Sequence, residues 1–311
     1  MRYTIFDVTI QSDIELPELP ASDADSKIRI KLGKPAGVDL STFEHRFDWG
    51  RPGEPVICSV SRKEGDFLFV YPGSVRFHIS ASGVIHCMPE PGYPEQALRH
   101  ILINQVIPRF LAEQGCLVIH ASAVLLPTGK VVAFLGNSGF GKSTLAASFL
   151  REGGVVLADD CILLRAEQSR VRLIGAFPGL RLHPDSLSHV DAAVADIERV
   201  TPYTDKCKVR LNEGRGQRVL YLDAGFVLND PLTPVDEIKA EPLTGMPVMM
   251  SLIDRAFSMD PSQAANTVEK FKNIGEIFSA NVKLFRLEYP RSMDLLPDVH
   301  DAVLQTLENM S

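Results

Sequence analysis

The run VVAFLGNSGFGKST, from Val131 to Thr144, constrains what this chain can fold into more than any other stretch. Five apolar residues, Val131 to Leu135, predict a buried strand, and Thr144 to Leu150 predict a helix. Between them stands GxxxxGK[ST], and the order strand, glycine-rich loop, helix is that of a phosphate-binding loop. The residue types follow from what an anion requires. Gly136, Gly139 and Gly141 are expected to carry the backbone through positive φ, so that successive N–H groups converge on one phosphate. The start of the following helix adds partial positive charge. Lys142 is placed to reach the β- and γ-phosphates, and the Ser143 hydroxyl to ligate Mg²⁺. The expected nucleotide-binding set is Gly136, Asn137, Ser138, Gly139, Phe140, Gly141, Lys142, Ser143 and Thr144. The competing interpretation is a glycine-rich turn with an incidental lysine. Chance supplies the fixed residues in roughly one 300-residue chain in a hundred, which favours the nucleotide.

Composition narrows the class. A chain of 311 residues with 45% hydrophobic content can bury a large core and is expected to form two domains. A net charge of −7 without a basic tract argues against nucleic acid as a partner. The five cysteines are scattered and never in CxxC spacing, so they read as reduced thiols with no zinc site. The opening MRYTIFDVTIQSDIEL lacks a signal-peptide pattern, and no apolar run approaches the roughly 18 residues of a membrane span. A cytoplasmic protein with no membrane partner is the expectation.

Residues 1–92 alternate with period two between turn signals. Expected strands are Tyr3–Ile10, Lys27–Leu32, Val56–Ser61, Asp66–Tyr71, Val75–Ile79 and Val84–Cys87, in an antiparallel sheet. His78, His86 and His100 occur singly and read as structural. This β-rich α+β domain suits a lid, a docking surface or a dimerisation element. Pro94 to Gln114 shift to helical spacing and form the expected link, with Pro108 either kinking the helix or ending its regular part and Gly115 stopping it. Residues 93–311 form the second domain.

In that domain Cys116–Leu126 is an expected strand, whole or bent, beside the nucleotide strand. His120 on it is either a satisfied core histidine or a residue near the γ-phosphate. Helix Lys142–Arg151 is expected to end at Gly153-Gly154, and the strand Val155–Ala158 to end in Asp159-Asp160. An apolar strand ending in acid is where a phosphate-loop protein holds Mg²⁺. A second carboxylate beyond the metal's need can accept a proton from an attacking hydroxyl. The alternative is a strand end with two solvated acids. Further on, His183–Val194 reads as helix, with Ser188 and His189 on its surface. Lys206, Lys208 and Arg210 alternate on one strand, either as a solvated edge or as a phosphate or acidic-peptide contact. Gln217–Leu228 and Val282–Tyr289 read as strands, and Pro247–Phe257 and Leu296–Asn309 as helices.

His120-Ala121-Ser122, Gly136 to Ser143 and Leu157-Ala158-Asp159-Asp160-Cys161 together resemble the catalytic domain of the HPr kinase/phosphorylase family. They are closest to its serine kinases of ribosomal peptide, including lasso peptide, biosynthesis. Tyr3 to Leu19 and Pro178-Gly179-Leu180-Arg181-Leu182 carry the resemblance across most of the chain. It implies an α/β fold, with a C-terminal HPr-kinase-like nucleotide-binding domain behind the smaller β-rich one. It also implies that Asp159 is the base toward a substrate serine, that Asp160 lies by the metal, and that His120 lies near the transferred phosphate. The glycine-rich phosphorylase signature of the family is absent, with Ala176 to Arg181 in its place.

The expected function is transfer of the γ-phosphate of ATP or GTP, with Mg²⁺ on Ser143 and Asp160, to a serine of a peptide or protein. Asp159, His120, Lys142 and Arg181 are the expected catalytic residues. The family resemblance implies a lasso-type precursor peptide as substrate. A nucleotide-gated regulatory protein and a small-molecule kinase are the alternatives, and self-association is left open.

Overall fold

A computed structural model describes every residue except 51–52, 177–179, 183–193, 202–203, 212–218, 262–263, 281 and 311. For 180–182, 194–201, 204–211, 264–267 and 269 it describes the backbone alone. The expected helix His183–Val194, with Ser188 and His189, falls almost wholly outside the described residues. Two units divide the chain: Met1–Phe110 with Ser258–Gln263, and Leu111–Phe257 with Ala264–Ser311. The division comes at Phe110 rather than at residue 92, because most of the linking helix groups with the first unit.

The first unit is built on eight strands, β1 (Arg2–Ile5), β2 (Val8–Ser12), β3 (Ile28–Leu32), β4 (Glu44–Trp49), β5 (Cys58–Lys63), β6 (Asp66–Tyr71), β7 (Val75–Ile79) and β8 (Val84–Pro89). Their order in one sheet is β1-β2-β3-β8-β7-β6-β5-β4. The expected strand Tyr3–Ile10 is a hairpin instead. Phe6 and Asp7 take φ of 51° and 59°, the double left-handed turn that matches strand twist. The sheet is mixed rather than antiparallel, since β3 runs parallel to both β2 and β8. The segment between β2 and β3 is long enough for a parallel return. The other pairings follow the alternation, which buries Val60, Phe67, Phe69, Phe77, Ile79 and Ile85.

Helical conformation continues from Glu95 to Glu113 as α1 (Glu95–Ile101), a π-helical turn (Leu102–Val106) and α2 (Ile107–Glu113). Pro108 neither ends nor isolates it. A proline offers no N–H and crowds the carbonyl four residues back, and the wider turn just before it relieves that contact. Gly115 (φ 83°) then closes the segment.

The second unit begins with β9 (Leu117–Ile119) and β10 (Ala121–Leu125). These are not one strand: β9 joins a four-stranded sheet and β10 a six-stranded one, with His120 at the break. There follow β11 (Val131–Leu135), α3 (Lys142–Arg151), β12 (Val155–Ala158), β13 (Ile162–Glu167), β14 (Arg170–Gly175), β15 (Leu180–Leu182), β16 (Val194–Thr201) and β17 (Thr204–Leu211). The chain continues through β18 (Leu220–Tyr221), β19 (Ala224–Leu228), β20 (Lys239–Leu243), α4 (Met246–Ile253), α5 (Ala264–Ser279), β21 (Leu284–Glu288) and α6 (Leu296–Glu308). The sheets are ordered β12-β10-β11-β19-β21-β20, β18-β14-β13-β9 and β15-β17-β16. The expected strand Gln217–Leu228 is broken at Leu222-Asp223, so that β18 and β19 serve different sheets. Among the described residues no helix is long and apolar enough to cross a membrane.

Every residue of β11 is buried because both faces of the sheet are covered. Val132 and Phe134 face Leu145, Phe149, Val299 and Val303 of α3 and α6. Ala133 and Leu135 face the four-stranded sheet and Leu252, Ile274 and Ile277 of α4 and α5. Phe134 stacks on Phe149 at 5.6 Å, and each buried aromatic contributes about 2–3 kcal/mol through area removed from water. Helix α3 ends as expected: Gly153 (φ 81°) is left-handed, and the Gly154 N–H donates to the Phe149 carbonyl.

The described cysteines Cys58, Cys87, Cys116 and Cys161 are free thiols. Burial pushes the Cys58 thiol up to about 12 and raises that of Cys87 further.

Two predictions follow from this packing. A Cβ on Gly175 would sit 2.7 Å from the Leu157 carbonyl oxygen and 2.9 Å from the Ala158 Cβ, with no flexible atom to yield. Gly175→Ala should therefore cost about 1–3 kcal/mol, read as a lower urea midpoint. The second concerns His300, whose ring lies 4.1 Å from Phe149 and whose Nε2 is 2.7 Å from Ser148 Oγ. Ser148 gives its one proton to the Leu145 carbonyl, so the histidine donates. Burial holds the His300 pKa below its ordinary value, against the opposing pull of Glu152 and Asp301. The unfolded chain thus takes up this proton first, and stability falls as pH drops below about 6.5. Unfolding free energy should decline between about pH 7.5 and 5.5, and less steeply in His300→Gln.

Candidate active site

The loop after β11 has the geometry that its glycines permit, with one difference. Gly139 (φ 86°) and Gly141 (φ 81°) are left-handed, but Gly136 is not. What requires glycine at 136 is the Phe140 ring folded over it: a Cβ there would meet the Phe140 Cβ at 3.0 Å and its ring at 3.2 Å. Gly141 caps α3, and its carbonyl accepts from Leu145 N–H at 2.9 Å. Asn137, Ser138 and Gly139 are exposed, whereas Lys142 and Ser143 are buried. The Lys142 ammonium turns back to donate to the Asn137 carbonyl at 2.9 Å, so the cation bridges the loop it belongs to.

Strand β12 delivers the acids. It is antiparallel to β10, which is antiparallel to β11, so β12 and β11 end at the same edge. Ser143 Oγ donates to Asp159 Oδ1 at 2.9 Å, and Ser122 Oγ on β10 donates to the same oxygen at 2.5 Å. One carboxylate oxygen is thereby held from two sides. Asp160 takes a left-handed conformation (φ 68°), which Asp tolerates better than most residues. That turn breaks the strand's alternation at its end, and both acids are about 95% buried, at 6% and 5% exposure. They are not the solvated strand end of the alternative interpretation.

His120 stands at the same edge. Ala121 pairs with Leu135, so His120 is level with the first loop residue, Gly136. Its N–H donates to the Arg255 carbonyl at 2.8 Å, and its half-buried ring meets Phe257 edge-on at 6.2 Å. Arg181 lies on β15, which runs beside α3 and pairs with β17 so that Arg181 is opposite Lys208. Lys206, Lys208 and Arg210 do share strand β17, and all four side chains lie outside the described residues.

On the other side of the loop, β19 and β21 run parallel to β11 and end beside it. Asn229 follows β19, and Tyr289 and Arg291 follow β21. The Arg291 guanidinium lies over the Tyr289 ring at 4.1 Å, and its Nη2 donates to the Asn229 carbonyl and, at 3.1 Å, to its side-chain oxygen. Its Nη1 would be 3.5 Å from a Cβ on Gly141. Burial lowers the Arg291 pKa from its ordinary value and raises that of Tyr289.

The fold therefore brings Gly136 to Thr144, Asp159, Asp160 and His120 to one sheet edge. The sequence reasoning passed over Ser122 and Arg291 as site residues. Ser122 carried a usable signal, since a hydroxyl within an apolar strand needs a buried partner. Arg291 carried none, because only the parallel order of β11, β19 and β21 brings it to the loop.

No family model matches the chain, and no curated relative does. Among solved structures it is similar to that of the Hpr(Ser) kinase/phosphatase from Coxiella burnetii, with a TM-score of 0.34 and 12% sequence identity over 62% of this chain and 97% of the other.

Proposed function

We propose that this protein is a Mg²⁺-dependent phosphotransferase that moves the γ-phosphate of ATP or GTP to a serine hydroxyl of a peptide or protein. The observation that carries the reading is the hydrogen bond from Ser143 to Asp159, which ties a phosphate-binding loop to a buried pair of acids. A nucleotide switch needs one acid for its metal, and the second buried carboxylate supports phosphotransfer.

The residues fit a Mg²⁺ site of the usual kind. The donors are a hydroxyl and carboxylates, and a metal shared with substrate phosphates needs only one or two protein ligands. Among the described residues no three His, Cys, Asp or Glu gather into a metal cluster. Ser143 and Asp160 would hold the ion, which when bound neutralises charge on the β- and γ-oxygens.

Lys142 exchanges the Asn137 carbonyl for phosphate oxygens, and the loop amides and the start of α3 hold the chain of phosphates. Asp159 accepts the proton of the serine hydroxyl as the new O–P bond forms and the bond from the γ-phosphorus to the bridging oxygen breaks, releasing the nucleoside diphosphate. His120 at the same edge orients the acceptor. Arg181 and the cations of β17 are proposed to support charge on the transferring group. The substrate proposal, a ribosomal precursor peptide of the lasso type, rests on the motif resemblance alone, and a cytoplasmic site of action is proposed from the scattered cysteines.

A second reading exchanges the two acids, and the Ser143–Asp159 bond favours it. A carboxylate behind the metal-holding hydroxyl is placed to steer the metal, which leaves Asp160 as base. Turnover and equilibrium binding separate the two. Whichever of Asp159→Asn and Asp160→Asn removes the base should cut phosphopeptide formation by about 10²–10⁴-fold and leave Mg-nucleotide affinity unchanged. The other should weaken the Mg²⁺ dependence. Mass spectrometry of candidate peptides after incubation with Mg-ATP should show the addition of one phosphoryl group. Full turnover in both variants, or nucleotide hydrolysis without any modified peptide, would remove the proposal.

A further inference from the structure

The order of the strands gives a bound nucleotide a direction. Strands β12, β11, β19 and β21 all end at one edge, with β12 two places to one side of β11 and β21 two places to the other, roughly 10 Å each way. The acids follow β12, and Ser143 reaches them from the loop. If the terminal phosphate meets those acids, the nucleoside end must extend toward β21. Arg291 is what stands there.

Arg291 is a cation whose donors are poorly satisfied by its neighbours. Its Nε and Nη1 are shielded from water and make no well-formed hydrogen bond, Nη2 is anchored on Asn229, and the Tyr289 side chain is the other polar group that helps hold the charge. Leaving buried donors of a charged group unpaired is costly, and a planar guanidinium matches the oxygens of a phosphate. The Tyr289 ring supports one face of the group, and Nη1 lies 3.5 Å from where a Cβ on Gly141, the N-cap of α3, would stand. The side chain as a whole is only half-buried, so a turn about its last torsions can present these donors to an entering oxygen.

Resting on the phosphate-loop reading above, we propose that Arg291 is a nucleotide-binding residue, and that its guanidinium takes the α-phosphate at the nucleoside end, opposite the reacting end. Arg291 then supplies affinity for the nucleotide and has no part in the proton transfer. Tyr289 and Asn229 are its positioning residues: one supports the plane and the other fixes its rotation.

The test is calorimetric titration of the full chain with Mg-ATP, Mg-ADP and Mg-pyrophosphate, comparing wild type with Arg291→Gln, Arg291→Lys and Lys142→Ala. Arg291→Gln should weaken ATP and ADP by about tenfold or more, the worth of a charge-assisted hydrogen bond. It should change pyrophosphate by less than about threefold, since pyrophosphate is held by the loop amides and Lys142. Arg291→Lys keeps the charge without the fork, so it should fall between wild type and the glutamine variant and serves if that variant does not fold. Lys142→Ala should weaken all three ligands. ATP affinity unchanged in the Arg291 variants would overturn the assignment. So would an equal loss for pyrophosphate, because Arg291 would then act by holding the loop in shape. A wild type that takes up none of the three ligands would sink the loop reading and this assignment with it.

Discussion

One carboxylate oxygen, Oδ1 of Asp159, receives hydroxyls from two directions: Ser143 at the start of α3 and Ser122 inside β10. The rest of the site is arranged around that junction. It joins the loop after β11 to the end of β12 although β10 lies between the two strands. Both hydroxyls are buried, so neither has water as an alternative partner, and an unmet donor there would cost more than the bond itself returns. The junction therefore sets the position of the acids relative to the loop. Gly175 protects the same place from the neighbouring sheet, since nothing larger fits against Leu157 and Ala158 just before the acids.

Around the junction the charges are arranged for an anion. The α3 N-terminus, Lys142 and Arg291 all bring positive potential to the loop. Lys142 satisfies itself on the Asn137 carbonyl, and Arg291 only partly on Asn229. On the proposed function, these self-contacts are the ones that phosphate oxygens would replace. The acids occupy the β12 side of the loop and Arg291 the β21 side, so opposite charges stand on its two sides.

Much of this was legible beforehand. The helix Lys142–Arg151 and strand Val155–Ala158 have the limits expected from their residues, because caps and glycines are local signals. The β-rich first unit followed from alternation, although its parallel pairs did not, since direction depends on which strands meet. Elements without an expectation in the sequence include β13, β14, β16 and β20 as well as β4 and α5. The residues of β4 are mostly exposed and those of α5 leave Val268, Phe271 and Phe278 exposed, so neither has the clean alternation of a one-sided element. Gly136 departs from the expected positive φ for a different reason: its need for glycine comes from the Phe140 ring across the turn, a contact that composition does not encode.

By itself the sequence determined the loop, its helix and the two acids, because glycine conformation, strand burial and helix capping act over a few residues. Only the tertiary structure decided which serine holds Asp159, that His120 breaks a strand between two sheets, and that Arg291 reaches Gly141. Those relations join residues far apart in the chain, and the order and direction of strands in a sheet are settled by packing on both its faces.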